Sequence, residues 1–232
     1  KNPKGFVMKT VYRHSVRKAP KAAEVLFWRD VLQSGRDYLQ TEELPKDTVR
    51  YEDTAAVMYT GGTTGEAKGV LLSNGAFNIT TSSLIVMKVN DRCHEHGAFL
   101  SVLPVFHAFG LAICIHAPLS CGMRMVLSPR FTPKDCANMV LKEKIEILAG
   151  VPAMYERMYP LLKGHDLSFI QHIVCGGDMV SADLIDRYNV ILGRKNGGAS
   201  FLPGYGLTEC GGACILVDED RDDSPSGCVG KP

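Results

Sequence analysis

Between Tyr59 and Val70 the chain reads Tyr-Thr-Gly-Gly-Thr-Thr-Gly-Glu-Ala-Lys-Gly-Val, placing four glycines, three threonines and one lysine directly behind an apolar run. Glycines let backbone N–H groups approach an anion closely, threonine hydroxyls add donors, and a lysine adds a point charge. Thr60, Gly61, Gly62, Thr63, Thr64, Gly65 and Lys68 therefore suit the cradling of phosphate. The bland alternative is a tight solvated turn. A nucleotide-triphosphatase P-loop is excluded by spacing, because that loop needs Gly-Lys followed by Ser or Thr and an immediate helix. Here Lys68 stands between Ala67 and Gly69, and an apolar run follows.

Four later segments add complementary chemistry. In Pro203-Gly-Tyr-Gly-Leu-Thr-Glu-Cys210, Tyr205 beside Gly206 can stack on a flat ring, Thr208 can donate to a phosphate oxygen, and Glu209 can hold a hard cation through a carboxylate. The alternative there is a buried Tyr–Thr hydrogen bond. In Ile173-Val-Cys-Gly-Gly-Asp-Met179, an apolar run enters Gly176 and Gly177, whose missing side chains allow a flat base to lie against the backbone next to Asp178. Leu103-Pro-Val-Phe-His-Ala-Phe-Gly110 offers Val105, Phe106 and Phe109 as apolar wall and His107 as one imidazole; a buried histidine on a core helix is its alternative. Gly150-Val-Pro-Ala-Met-Tyr155 follows an apolar run and opens a helix, so Val151 and Met154 either line a ligand or pack the core.

The elements that must position these segments have an α/β pattern. From Ala55 onward, short runs rich in Val, Ile and Leu alternate with helix-length amphipathic stretches. Strands are expected at 55–59, 98–103, 124–127, 145–149, 170–175 and 200–203. Helices are expected at 74–86 after Ser73 as N-cap, 134–144 after Thr132-Pro133, 153–162, and 182–192 after Ser181. Residues 1–53 form a less regular segment, with a helical pattern over Val25–Leu39 around Trp28 and a polar connector at 42–50; residues 54–232 carry the candidate binding core.

Composition bounds the function. With 45% hydrophobic and 22% charged residues the chain should fold around a sizeable core, and its net charge of +1 gives no global field for nucleic acid or an anionic membrane. No window is apolar for long enough to span a bilayer, and residues 1–9 hold no signal-peptide core, so a cytoplasmic protein is expected. The eight cysteines include no Cys-x-x-Cys pair and read as reduced thiols. Cys93, His94 and His96 lack the second ligand pair a zinc site needs. The acidic run Asp218–Asp223 reads as a solvated loop, and nothing in the sequence fixes an oligomeric state.

These segments, in this order, resemble the adenylate-forming (AMP-binding) superfamily, which contains acyl-CoA synthetases, firefly luciferase and the adenylation domains of peptide synthetases. The family signature Tyr-Thr-Ser-Gly-Thr-Thr-Gly-x-Pro-Lys-Gly matches except at Gly61 and Ala67. Tyr205–Glu209 is similar to its Tyr-Gly-x-Thr-Glu, and Gly227–Pro232 to its Gly-x-Val-Gly-x-Pro. The resemblance covers about Thr54 to Pro232 and implies layered sheets with flanking helices, as part of an acyl-CoA synthetase-like N-terminal domain.

It further implies that ATP and a carboxylic acid give an acyl adenylate and pyrophosphate, after which the thiol of coenzyme A displaces AMP. On this reading Thr60–Lys68 holds the β- and γ-phosphates, Gly176, Gly177, Asp178 and Tyr205 contact adenine, and Glu209 holds Mg2+. Lys68, Thr208, Glu209 and His107 attend the reaction, while Val105, Phe106, His107, Phe109, Val151 and Met154 line the acyl pocket. Val105–Leu111 contains no carboxylate for a substrate ammonium, which points to an unaminated, apolar acid, and the fatty acyl-CoA synthetase branch is the nearer one. The family's early N-terminal segments, its later Thr-Gly-Asp motif and its mobile C-terminal domain have no counterpart here, so the 232 residues alone are expected to bind nucleotide weakly and not to complete adenylation. Loading of a carrier-protein phosphopantetheine, and a non-catalytic nucleotide-binding module, are the competing functions.

Overall fold

The computed structural model describes residues 28–41, 48–60, 67–84, 97–217 and 228–230. Two compact units divide between Thr48 and Val49. In the first, α1 (Trp28–Thr41) is a helix whose described side chains are all exposed. Everything below concerns the second.

Six strands form one sheet in the order β4-β3-β5-β6-β7-β8: β4 is Arg124–Leu127, β3 Ala98–Ser101, β5 Ile147–Gly150, β6 His172–Cys175, β7 Ser200–Tyr205 and β8 Ile215–Leu216. The first five run parallel and β8 closes the edge antiparallel. Every residue of β3, β5 and β6 is buried, as expected of central parallel strands covered on both faces. The period-2 pleat divides their side chains between two cores. Leu100, Leu148, Ile173 and Phe201 face α4 (Pro133–Glu143), α5 (Pro152–Leu162) and α6 (Ala182–Ile191). Phe99, Ile147, Ala149, Val174 and Leu202 face the opposite layer, where Met58, Leu72, Phe77 and Phe109 pack.

All six expected strands are present, with shifted ends: β3 stops at Ser101, β5 and β6 start two residues late, and β7 runs on to Tyr205. The expected caps hold too. Leu184 N donates to Ser181 Oγ at 3.2 Å, opening α6, and Ala76 N donates to Ser73 Oγ at 3.2 Å, opening α2 (Asn74–Leu84).

Three features went unexpected. One is β2 (Lys68–Ser73), which pairs antiparallel with β1 (Thr54–Thr60) as a separate two-stranded sheet. Another is the short edge strand β8. The third is a helix over Phe109–His116 with π-type bonding, Ala117 N donating to Ala112 O, which runs into the four-residue α3 (Ala117–Ser120). Pro118 has no N–H for the Cys114 carbonyl four residues back. The buried Ser101 hydroxyl at the end of β3 donates to that carbonyl instead, at 2.5 Å, fastening the helix to the sheet. Among the described residues no helix is long and apolar enough to cross a membrane.

On the other face, the buried Tyr155 hydroxyl of α5 donates to Val174 O at 2.9 Å, and Tyr188 of α6 donates to Tyr155 O at 2.8 Å. Burial pushes the Tyr155 phenol far above its ordinary pKa, so it remains a donor throughout the working pH range. Tyr155→Phe removes this buried hydrogen bond while the β5–β6 ladder still serves the Val174 carbonyl, and is expected to lower unfolding free energy by about 0.5–1.5 kcal/mol. Urea unfolding followed by circular dichroism checks this; an unchanged midpoint would contradict it.

Candidate active site

The lysine-bearing segment lies at the mouth of the hairpin. Thr60 and Lys68 face one another at the end of the β1–β2 ladder, and the Thr60 hydroxyl donates to Lys68 O at 3.4 Å. Gly61, Gly62, Thr63, Thr64 and Gly65, between them in the chain, lie outside the described residues. Lys68 is exposed and starts a strand, in keeping with the exclusion of a P-loop, whose lysine opens a helix.

Tyr205 ends β7, and a 3₁₀ turn over Thr208–Cys210 follows. Its position is set by contacts to three other elements. β2 packs against the turn, with Cα atoms of the two within 8 Å. From α2, the Thr80 hydroxyl lies 2.9 Å from Ala76 O in its own helix and 3.2 Å from Cys210 O, sharing its one proton between the two carbonyls. Behind the turn, Gly212 has φ +104°, and a Cβ there would stand 2.8 Å from the Ala108 backbone, so only glycine lets the turn rest on the start of the π-type helix.

The next residue of that helix, Phe109, reaches across to Gly176 at the end of β6: a Cβ on Gly176 would meet Phe109 Cε1 at 3.7 Å and Gly204 O at 3.1 Å. One residue on, Gly177 faces Val151 Cγ1 at 3.3 Å from its ideal Cβ. The carboxyl ends of β3, β5, β6 and β7 thus share one edge with the Thr208–Cys210 turn and β2. The connection after β3 leaves by one face and α5 after β5 by the other, so a crevice opens between these strand ends, the usual ligand position in open α/β sheets.

Within this edge Tyr205 and Glu209 are exposed and Thr208 is half-buried. The exposure of Tyr205 rules out the buried Tyr–Thr pair. His107 is exposed and precedes the helix, which removes the core-histidine alternative; its Nδ1 accepts from Phe109 N at 3.2 Å, leaving Nε2 as the donor of the neutral ring. Asp178 is exposed, and its carboxylate accepts from Met179 N at 2.7 Å. Val105 and Phe106 project outward, Phe106 at 80% exposure. Met154 is buried in the core on the α5 face, away from the layer that holds Phe109. The edge accordingly brings Phe109, Val151, Gly176, Gly177, Tyr205, Thr208 and Glu209 to one rim, with β2 packed against the turn, and leaves Met154 in the core.

Sequence reading missed Thr80, Ser101 and a cavity under the π-type helix. That cavity is lined by, among others, Phe99, Ile113, Met123 and Ala149; Thr81 and His172 also border it, yet no nitrogen or oxygen faces the space. Such residues carry no signal beyond ordinary apolar periodicity. Among the described residues no three His, Cys, Asp or Glu side chains group as a metal site, and Cys93, His94 and His96 lie outside that set.

The sequence model of the AMP-binding enzyme family matches residues 6–232. The chain belongs to that family. It is similar to the feruloyl-CoA synthase of an Amycolatopsis species, 32% identical over 193 residues, which are 82% of this chain and 38% of that protein. The long-chain-fatty-acid–CoA ligase of Bacillus subtilis is 28% identical over 159 residues, 68% of this chain and 27% of that protein. Among solved structures, the O-succinylbenzoate coenzyme A synthetase of Bacillus subtilis in complex with ATP and magnesium superposes with a TM-score of 0.67 at 25% identity, covering 84% of this chain and 40% of that one. The inhibitor-bound N-terminal domain of FACL13 from Mycobacterium tuberculosis gives 0.70 at 24% identity, covering 86% and 48%. The layered α/β fold is that of the N-terminal domain of such AMP-binding enzymes, and the chain spans less than half the length of each of these four relatives.

Two glycines in this AMP-binding chain separate strain from close approach. Gly197 has φ +83° with nothing within 4 Å of an added Cβ, whereas Gly212 combines a positive φ with the Ala108 backbone. Gly197→Ala is expected to cost about 1–2 kcal/mol, and Gly212→Ala clearly more. Equal losses in urea unfolding would show that the turn does not rest on the helix.

Proposed function

We propose that this protein converts a carboxylic acid to its acyl adenylate with ATP and then to a coenzyme A thioester, releasing pyrophosphate and AMP. What carries this reading is the convergence of β2, which begins at Lys68, with the Thr208–Cys210 turn beside the Gly176–Gly177 strand end. One triphosphate laid along that edge has its β- and γ-phosphates at the hairpin mouth and its base near Tyr205 and the glycines.

Displacement at the α-phosphorus depends on positioning and on charge neutralisation more than on covalent help from the protein. Lys68 and the Thr60–Gly65 loop hold the pyrophosphate that leaves. Thr208 donates to the α-phosphate, and Tyr205 stacks on adenine. Glu209 is a lone, exposed, hard oxygen donor, which fits Mg2+, an ion commonly held by one or two carboxylates together with substrate phosphates and water. When bound, the ion would offset charge on the phosphate oxygens. His107, whose Nδ1 accepts from Phe109 N and leaves Nε2 to donate, would meet the acid's carboxylate. Coenzyme A as the thiol accords with the names of the CoA-ligase relatives.

The acid we infer is aliphatic and apolar. From Phe109 the π-type helix runs along the sheet toward a largely apolar cavity, lined mainly by aliphatic, aromatic and sulfur-bearing side chains. A distal hydroxyl buried there without a partner would cost roughly 1–3 kcal/mol, which disfavours hydroxylated aryl acids such as ferulate.

Pyrophosphate exchange by the full-length protein across acetate, octanoate, palmitate, ferulate and amino acids tests this reading. Activity is expected to be highest with an aliphatic acid; a response confined to ferulate or to amino acids would contradict the assignment. Glu209→Ala is expected to reduce magnesium-dependent exchange about a hundredfold, the scale of losing one charge-stabilising group. Undiminished exchange would take Glu209 out of the metal role.

A further inference from the structure

We propose that Cys210 and Cys214 form an oxidation site, closing reversibly to an intrachain disulfide that acts on the turn bearing Thr208 and Glu209. Both are free thiols, Cys210 exposed and Cys214 half-buried. Gly211 and Gly212, with φ of +73° and +104°, fold the chain back between them. Cys214 is held from behind, its N–H donating to Tyr205 O at 3.0 Å and its thiol lying 3.6 Å from the same carbonyl. Burial, and the neighbouring Cys210 thiol, push the Cys214 thiol up.

The buried cysteines compete poorly. Burial raises the Cys114 and Cys175 thiols to about 12, and Cys136 is also buried. Thiolates there are scarce at neutral pH, whereas oxidation follows thiolate character and access.

With hydrogen peroxide as oxidant, the Cys210 thiolate attacks the O–O bond, giving a sulfenic acid and hydroxide. The Cys214 sulfur then displaces the sulfenic oxygen as water, and the S–S bond forms. Two thiols and one peroxide yield one disulfide and two waters. A dithiol reductant reverses the bond by exchange.

Closing S–S to about 2.05 Å draws the two side chains together. Gly212 is seated on the Ala108 backbone and cannot yield, so the movement falls on Cys210 and its neighbours Glu209 and Thr208. This coupling rests on the functional reading above; the disulfide itself does not.

After peroxide treatment, a non-reduced digest of the chain should give a 210–214 peptide two hydrogens lighter, restored by dithiothreitol and absent from Cys210→Ser and Cys214→Ser. Sulfinic acid at Cys210 with Cys214 still a free thiol, or bonding of either to another cysteine, would overturn the site. In the full-length protein, magnesium-nucleotide affinity should fall about tenfold on oxidation and recover on reduction, with both serine variants insensitive. A disulfide with unchanged affinity overturns the coupling alone. Absence of nucleotide binding by the reduced protein overturns the functional reading and leaves the mass result standing.

Discussion

At Gly212 two backbones touch with no side chain between them, and the rest of the carboxyl edge depends on that contact. Resting on Ala108, the turn after β7 holds Glu209 in the same layer as β2 and the Phe109–Gly176 contact. The Thr80 hydroxyl secures the turn from the α2 side. Moving this contact outward by the width of one methyl group would separate the acidic end of the site from the lysine-bearing strand. Because backbone rather than long side chains sets the spacing, little entropy is lost in holding the geometry before ligand arrives.

On the proposed reading, the layer opposite α4, α5 and α6 would supply the ligand side of the molecule. There the π-type helix lies on the sheet, fixed by the Ser101 bond to the Cys114 carbonyl. Its first residues border the nucleotide edge and its later ones roof an apolar cavity, so a single element would relate the reacting centre to the tail of the acid. Relatives of similar identity act, by their names, on feruloyl and long-chain fatty acyl groups, and on the proposed reading the apolar lining of the cavity would favour the aliphatic one.

The parallel core was legible because strands buried on both faces leave continuous apolar runs, as in Ile147–Gly150 and His172–Cys175, and because Ser73 and Ser181 announce their helices. The chemistry of the edge was legible as residue types, but its depth was not: Met154 and Phe109 read alike in sequence and face different cores. β2 escaped notice because a long glycine-rich loop is not a short hairpin turn signal. The π-type stretch was hidden because the Ser101 bond that ties it to the sheet joins residues 13 positions apart.

The account turns on one triphosphate engaging both the hairpin mouth and the turn after β7. Amide hydrogen exchange of the full-length protein, with and without magnesium and ATP, measures this directly. Added nucleotide should slow exchange over Tyr59–Val70 and Tyr205–Cys214 in parallel, with the same concentration dependence. Protection of one segment without the other, or of neither while nucleotide is bound, would contradict a shared site.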